Sequence, residues 1–192
     1  MKWKKLNFPR FELPPTLVGD LRRSNPWWDG LSVPAQPSFR RHLVGLIVTR
    51  MERRLAPIVA VRGPRQVGKT TAQMQIIADL LASGVDPRRI MRVQCDELSE
   101  TESLQSPILR IADWYEQDVL QRTYNDAANA GERCYLVLDE VQKLPKWAVQ
   151  LKFLVDHSAV NVLITGSSAL HIALGQDSLR SAERRRRWSA GG

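Results

Sequence analysis

An α/β fold, a parallel sheet with helices on both faces, is what the sequence predicts, and three observations carry that prediction. Short apolar runs recur along the chain, as in strands buried on both sides. Stretches with helical spacing of apolar residues lie between them. At 62–71 the glycine-bearing stretch "RGPRQVGKTT" sits where one such strand must turn into a helix. Strands alternating with helices imply a parallel sheet in a three-layer arrangement.

The elements follow in order. Over 1–37, "FPRFELPPTL", "NPWWDG" and "SVPAQP" mix prolines with aromatics and read as an irregular lead-in, neither helix nor strand. Trp27 and Trp28 read as anchors that pin this lead-in to the body, with partner binding as the other reading. Ser38 reads as the cap of a helix over 39–55, with Leu43, Leu46, Ile47, Met51 and Leu55 as its apolar face. "IVAV" at 58–61 is a first strand, and the helix after "RGPRQVG" is closed by Gly84. "RIMRVQC" at 89–95 is a second strand. Ser106 and Pro107 form a helix start, cap then proline, for a helix running to about residue 122. "CYLVLDE" at 134–140 is a third strand, and "WAVQLKFLVDHS" at 147–158 a helix. "VNVLITG" at 160–166 is a fourth strand, and "SSALHIAL" begins another helix. The chain therefore divides into a lead-in at 1–37, one α/β domain at 38–179 and an arginine-rich tail at 180–192.

Composition narrows the function classes. The chain has 192 residues, 43% of them hydrophobic, which suits a packed core and argues against global disorder. The net charge of +8 is confined to the ends. Residues 1–23 hold six Lys/Arg against two Asp/Glu, 180–192 hold five Arg against one Glu, and 24–179 hold 17 of each sign. A nucleic-acid-binding face on the body gains no support from that balance. Arg184, Arg185, Arg186 and Arg187 read as a solvated tail, with phosphate or RNA attraction as the alternative. Two cysteines, Cys95 and Cys134, make no disulfide framework and fit a reduced, cytoplasmic compartment. "MKWKKL" resembles the start of a signal peptide, but the charges and prolines of "NFPRFELPP" follow where an apolar core belongs. The longest uncharged run, 157–176, contains Asn161, Gly166, Ser167 and Ser168, so it reads as strand, turn and helix start, and no membrane span is expected. His42, His157 and His171 are isolated and show no metal spacing.

The stretch at 62–71 contains G-x-x-x-x-G-K-T, the pattern of a loop that wraps phosphates. The residues assigned to it are Gly63, Pro64, Arg65, Gln66, Val67, Gly68, Lys69, Thr70 and Thr71. The glycines let the backbone approach phosphate oxygens, and the start of the next helix adds its positive end. Lys69 supplies a point charge to the terminal phosphates, and Thr70 a hydroxyl to Mg2+.

"YLVLDE" ends in two acids at the carboxyl end of a strand, where ligands bind in parallel sheets. Asp139 is placed to hold Mg2+ together with Thr70. Glu140 can orient or deprotonate a water aimed at the last phosphate, which favours hydrolysis over transfer. The end of the fourth strand, "ITGSS", offers a hydroxyl that senses that phosphate: Ser167 first, then Thr165 and Ser168. A helix cap is the other reading of Ser167.

Taken in order, "RGPRQVGKTT", "LVLDEVQKLPKW" and "LITGSSALHIALGQDSL" resemble the prokaryotic AAA+-like ATPases with GPRxVGKTT, LDEIQ and ITGSS motifs. "NPWW" and the helix before the first strand are similar too, and the resemblance runs over about 25–179. It implies a P-loop fold of the additional-strand type, ATP with Mg2+ as ligands, and function at 63–71, Asp139, Glu140 and the Ser167 region. Members of that family continue past "GQDSL" with a small-residue turn and an arginine, whereas this chain reads "RSAERRRRWSAGG". The resemblance therefore implies a chain without the last strand and the lid, with neither Arg180 nor Arg184 in the family's arginine context.

Three functions fit these readings. The first is Mg2+-dependent ATP hydrolysis by Lys69, Thr70, Asp139 and Glu140, slow in this chain because the completing arginine is lacking. The second is a nucleotide-dependent binding module with negligible turnover. The third is a P-loop kinase. An open side on the strand before the phosphate loop would make the chain prone to self-association; the residues name no protein partner.

Overall fold

The computed structural model describes residues 12–40, 42–53, 56–64, 66–101 and 104–166. Four strands, β1 (Ile58–Arg62), β2 (Ile90–Gln94), β3 (Cys134–Asp139) and β4 (Val160–Gly166), form one sheet in the order β1-β4-β3-β2. All three pairings are parallel. Each predicted strand is present to within about a residue at its ends. β3 and β4 lie in the middle and are buried along their whole length.

The six α-helices among the described residues are α1 (Pro15–Arg23), α2 (His42–Glu52), α3 (Lys69–Ala82), α4 (Pro107–Tyr115), α5 (Tyr124–Asn129) and α6 (Trp147–His157). Alternation along the strands sorts the core into two halves, because successive side chains point to opposite faces. Leu136, Leu138, Val162 and Ile164 pack with α1, α4, α5 and α6. Tyr135, Val137 and Leu163 pack with α2 and α3. The sheet is thus covered on both faces, as predicted.

The lead-in is not irregular throughout. Pro15 opens α1, where a proline costs nothing because its missing N–H would have had no partner in the helix. Leu17 and Leu21 are fully buried in the larger core half. A Pro-Pro pair that reads as a breaker is here a helix start. The 3₁₀ turn Pro26–Asp29 then brings the paired tryptophans to the outer edge of β2. Both indole N–H groups donate to the Ile90 carbonyl, Trp27 at 3.0 Å and Trp28 at 2.9 Å. The Asn25 amide brackets Arg92: Nδ2 donates to its carbonyl at 2.7 Å, and Oδ1 accepts from its N–H at 2.6 Å. Side chains of the lead-in therefore replace the neighbouring strand that an edge would otherwise seek. The anchoring role of Trp27 and Trp28 is what the geometry shows.

Other departures are local. α2 begins at His42 and buries Val44, Ile47 and Met51. Leu43 and Leu46, expected inside, are 42% and 49% exposed. They lie beside the outer edge of β1, which among the described residues pairs only with β4. Leu55 lies outside the described residues. Ser106 precedes α4 but makes no capping bond; the Gln150 side chain of α6 instead accepts from the Ile108 N–H at 2.9 Å. α4 stops at Tyr115 and continues as a π-helical turn, Glu116–Leu120. α5, not foreseen, is held by a capping box between Thr123 and Asp126.

Cys95 and Cys134 are buried free thiols. Burial pushes the Cys134 thiol up to about 11. No helix among the described residues is long and apolar enough to cross a membrane.

Candidate functional site

The loop between β1 and α3 and the ends of β3 and β4 converge at the carboxyl edge of the sheet. The backbone of the loop favours glycine at Gly68, and the space around Gly63 is tight. Gly68 has φ +81°, a left-handed conformation, and a Cβ on Gly63 would meet Val67 Cγ2 at 3.1 Å. Gly68 offers no side chain to cap α3, so the first amides of that helix are left to another acceptor. Lys69, only 8% exposed, folds back on the loop: Nζ donates to the carbonyls of Gly63 at 3.0 Å and Pro64 at 2.8 Å. A cation fixed inside a ring of backbone, beside the start of a helix, is chemistry suited to an oxyanion such as phosphate. A cleft lined by Pro37, Phe39, Gly68, Thr71, Ala72 and Gln75 opens alongside.

Thr70 reaches across to β3, where its hydroxyl donates to Asp139 Oδ2 at 2.9 Å. A hydroxyl and a carboxylate in contact are hard oxygen donors, the kind Mg2+ prefers. Their meeting, between residues 69 positions apart, fits a Mg2+ site. Glu140 has φ +49°, a strained conformation for a residue with a side chain. Its carboxylate is held from two sides, by Lys69 Nζ at 3.5 Å and by Gln142 Nε2 at 2.5 Å.

Three polar residues that the sequence reading left aside, or ranked second, complete the cluster. Arg92 of β2 donates from Nη2 to Asp139 Oδ2 at 3.1 Å and from Nε to Gln73 Oε1 at 3.2 Å. Gln73 of α3 donates to Thr165 Oγ1 at 2.8 Å, and the Thr165 hydroxyl donates to Asp139 Oδ1. Burial lowers the pKa of the Arg92 guanidinium, while the charge and hydrogen bond of Asp139 pull it back up. One signal for Arg92 was legible: an arginine inside the apolar run "IMRVQC" can be buried only with a partner. Gln73 and Thr165 carried none that fixed whom they meet.

Of the other assigned positions, Gln66 adopts φ +62° and Thr71 is half-buried. Arg65, Ser167 and Ser168 lie outside the described residues, as do Arg180, Arg184 and the segment on which a last strand and lid were in question.

A family model described as "AAA domain" matches residues 55–187, more than half of the chain. No curated protein matches the sequence. Among solved structures, the chain is similar to C. elegans PCH-2, with a TM-score of 0.44 and 14% identity. That similarity covers 70% of this chain and 37% of the other, so the chain spans well under half of that protein's length.

Proposed function

The chain belongs to the AAA domain family, and on that premise we propose that it binds ATP with Mg2+ in the loop after β1 and hydrolyses it to ADP and phosphate. The observation that carries this reading is the contact of Thr70 with Asp139, which joins the loop to the strand end where the two acids stand.

In the proposed reaction, the amides of the loop and the start of α3 bind the phosphates, and Lys69 exchanges its carbonyl partners for phosphate oxygens. Thr70 and Asp139 hold Mg2+, which would neutralise phosphate charge when bound. Glu140, released from Gln142, orients a water and takes its proton. Thr165 keeps Asp139 in place, and Ser167 is assigned to sensing the last phosphate. The cleft lined by Pro37, Phe39 and Thr71 lies beside Gly68 of the loop and is assigned to the base.

A second reading, a nucleotide-dependent binding module, is favoured by one observation: Glu140 is engaged by both Lys69 and Gln142, partners that compete with water for its carboxylate. Titration with ATP, with and without Mg2+, and phosphate release on the same chain separate the two. Binding with steady release supports the hydrolase; binding without release supports the module; no binding sinks both. Self-association, expected from the open edge of β1, is checked by sedimentation with and without nucleotide.

A further inference from the structure

Arg92 is 4% exposed in the middle of β2, where an unpaired charge would be severely destabilising. It is not unpaired. Arg92, Gln73, Thr165 and Asp139 form a closed ring of side chains, each bonded to the next, drawn from β2, α3, β4 and β3. All four are buried. Thr70 adds a further bond to Asp139 Oδ2. Both carboxylate oxygens therefore accept hydrogen bonds from this chain's own side chains, and the positive charge against them is that of Arg92.

We propose that Arg92 is a positioning residue that acts through Asp139 as a resident cation, balancing that carboxylate when no metal is present and setting how much Mg2+ the nucleotide site requires. The inference rests on the reading of Thr70 and Asp139 as the metal-holding pair. The physical argument has two sides. Without metal, a buried Asp139 with no cation beside it would be costly, and the guanidinium offsets much of that cost. With metal, two cations share one carboxylate, and their repulsion at short range in a poorly screened site weakens metal binding. A purely structural arginine would stabilise the chain equally in both states. A resident cation stabilises the metal-free state more.

The test compares the wild-type chain with Arg92→Met and Arg92→Lys. One readout is the Mg2+ concentration that half-maximally tightens binding of a non-hydrolysable ATP analogue. The other is the thermal midpoint with and without Mg2+ and the analogue. Arg92→Met should lower the Mg2+ midpoint at least about fivefold, as expected when a unit charge near the site is removed. It should also melt earlier without ligand and regain more from Mg2+ plus analogue than the wild type does. Arg92→Lys, which keeps the charge, should leave the Mg2+ midpoint within about twofold, since the repulsion persists. If Arg92→Met does not fold without ligand, Arg92→Gln carries the same expectations. A neutral variant with an unchanged or raised Mg2+ midpoint overturns the proposal. If wild-type binding depends on Mg2+ and Asp139→Asn removes that dependence while the neutral variant's midpoint stays put, Arg92 alone is misassigned. If wild-type binding ignores Mg2+, the metal reading itself falls and takes this inference with it.

Discussion

The Thr70 hydroxyl donates to Asp139 Oδ2 at 2.9 Å, so the first turn of α3 and the last residue of β3 share one hydrogen bond. Everything predicted for the site follows from what surrounds that pair.

Lys69→Ala removes the cation of the loop and frees the Gly63 and Pro64 carbonyls. Losing charged hydrogen bonds to phosphate is worth about 1.5–3 kcal/mol, so ATP should bind at least ~10-fold more weakly. The circular dichroism spectrum should be unchanged. Wild-type affinity for Mg·ATP in calorimetric titration would show that the loop does not hold phosphate.

Glu140→Gln and Asp139→Asn should separate chemistry from metal. Glu140→Gln retains the shape of the side chain without a group able to take a proton, so nucleotide binding persists and phosphate release is lost. Asp139→Asn blunts the Mg2+ dependence of binding. It also leaves Arg92 without its carboxylate, a loss of about 3–5 kcal/mol on the scale of a broken buried pair. Equal, partial effects of the two variants on binding, release and denaturant stability would count against this division of roles.

Asn25→Ala should destabilise the fold without touching the loop. The amide serves the N–H and carbonyl of Arg92 and also donates to the Leu21 carbonyl at 2.7 Å. Leaving these buried groups unpaired costs about 3 kcal/mol, read by urea denaturation. A shift below about 0.5 kcal/mol would show that the edge of β2 does not depend on this side chain.

Stability should fall as pH rises from about 5 to 7, and Glu116 is one cause. Burial pushes its carboxyl up to about 7, against the pull of the Tyr124 N–H that it accepts. Between the ordinary carboxylate range and 7, the folded chain keeps a proton that the unfolded chain has lost, so folding is favoured at the acid end of that window. Glu116→Gln keeps an acceptor for Tyr124 and removes the titration. The variant should gain on the wild type by about 1–2 kcal/mol between pH 5 and 7, after discounting for partial exposure. Parallel stability–pH curves for the two chains would rule this out.

Particular residues show where the sequence was legible. "IVAV", "CYLVLDE" and "VNVLITG" report their strands directly, because apolar runs bounded by turn residues have few other uses in a chain of this composition. The lead-in was harder. Pro14 and Pro15 look like an interruption, and only the burial of Leu17 and Leu21 shows that a helix starts there. Leu43 and Leu46 sit at helical spacing with Ile47 and Met51, yet periodicity cannot say which side of a helix meets the sheet.

The sequence by itself determined the four strands, the glycines of the loop, and the placing of Lys69, Thr70, Asp139 and Glu140 at strand and helix ends. These are local matters, settled by backbone freedom, side-chain alternation and residue chemistry within a few positions. Only the tertiary structure decided the order β1-β4-β3-β2, and with it that Arg92 would lie against Asp139 while Gln73 and Thr165 closed the ring. The reason is physical: an apolar period records that a face is buried, but the identity of its neighbour depends on how distant strands pair. A polar side chain inside that core takes its role from the neighbour it is given.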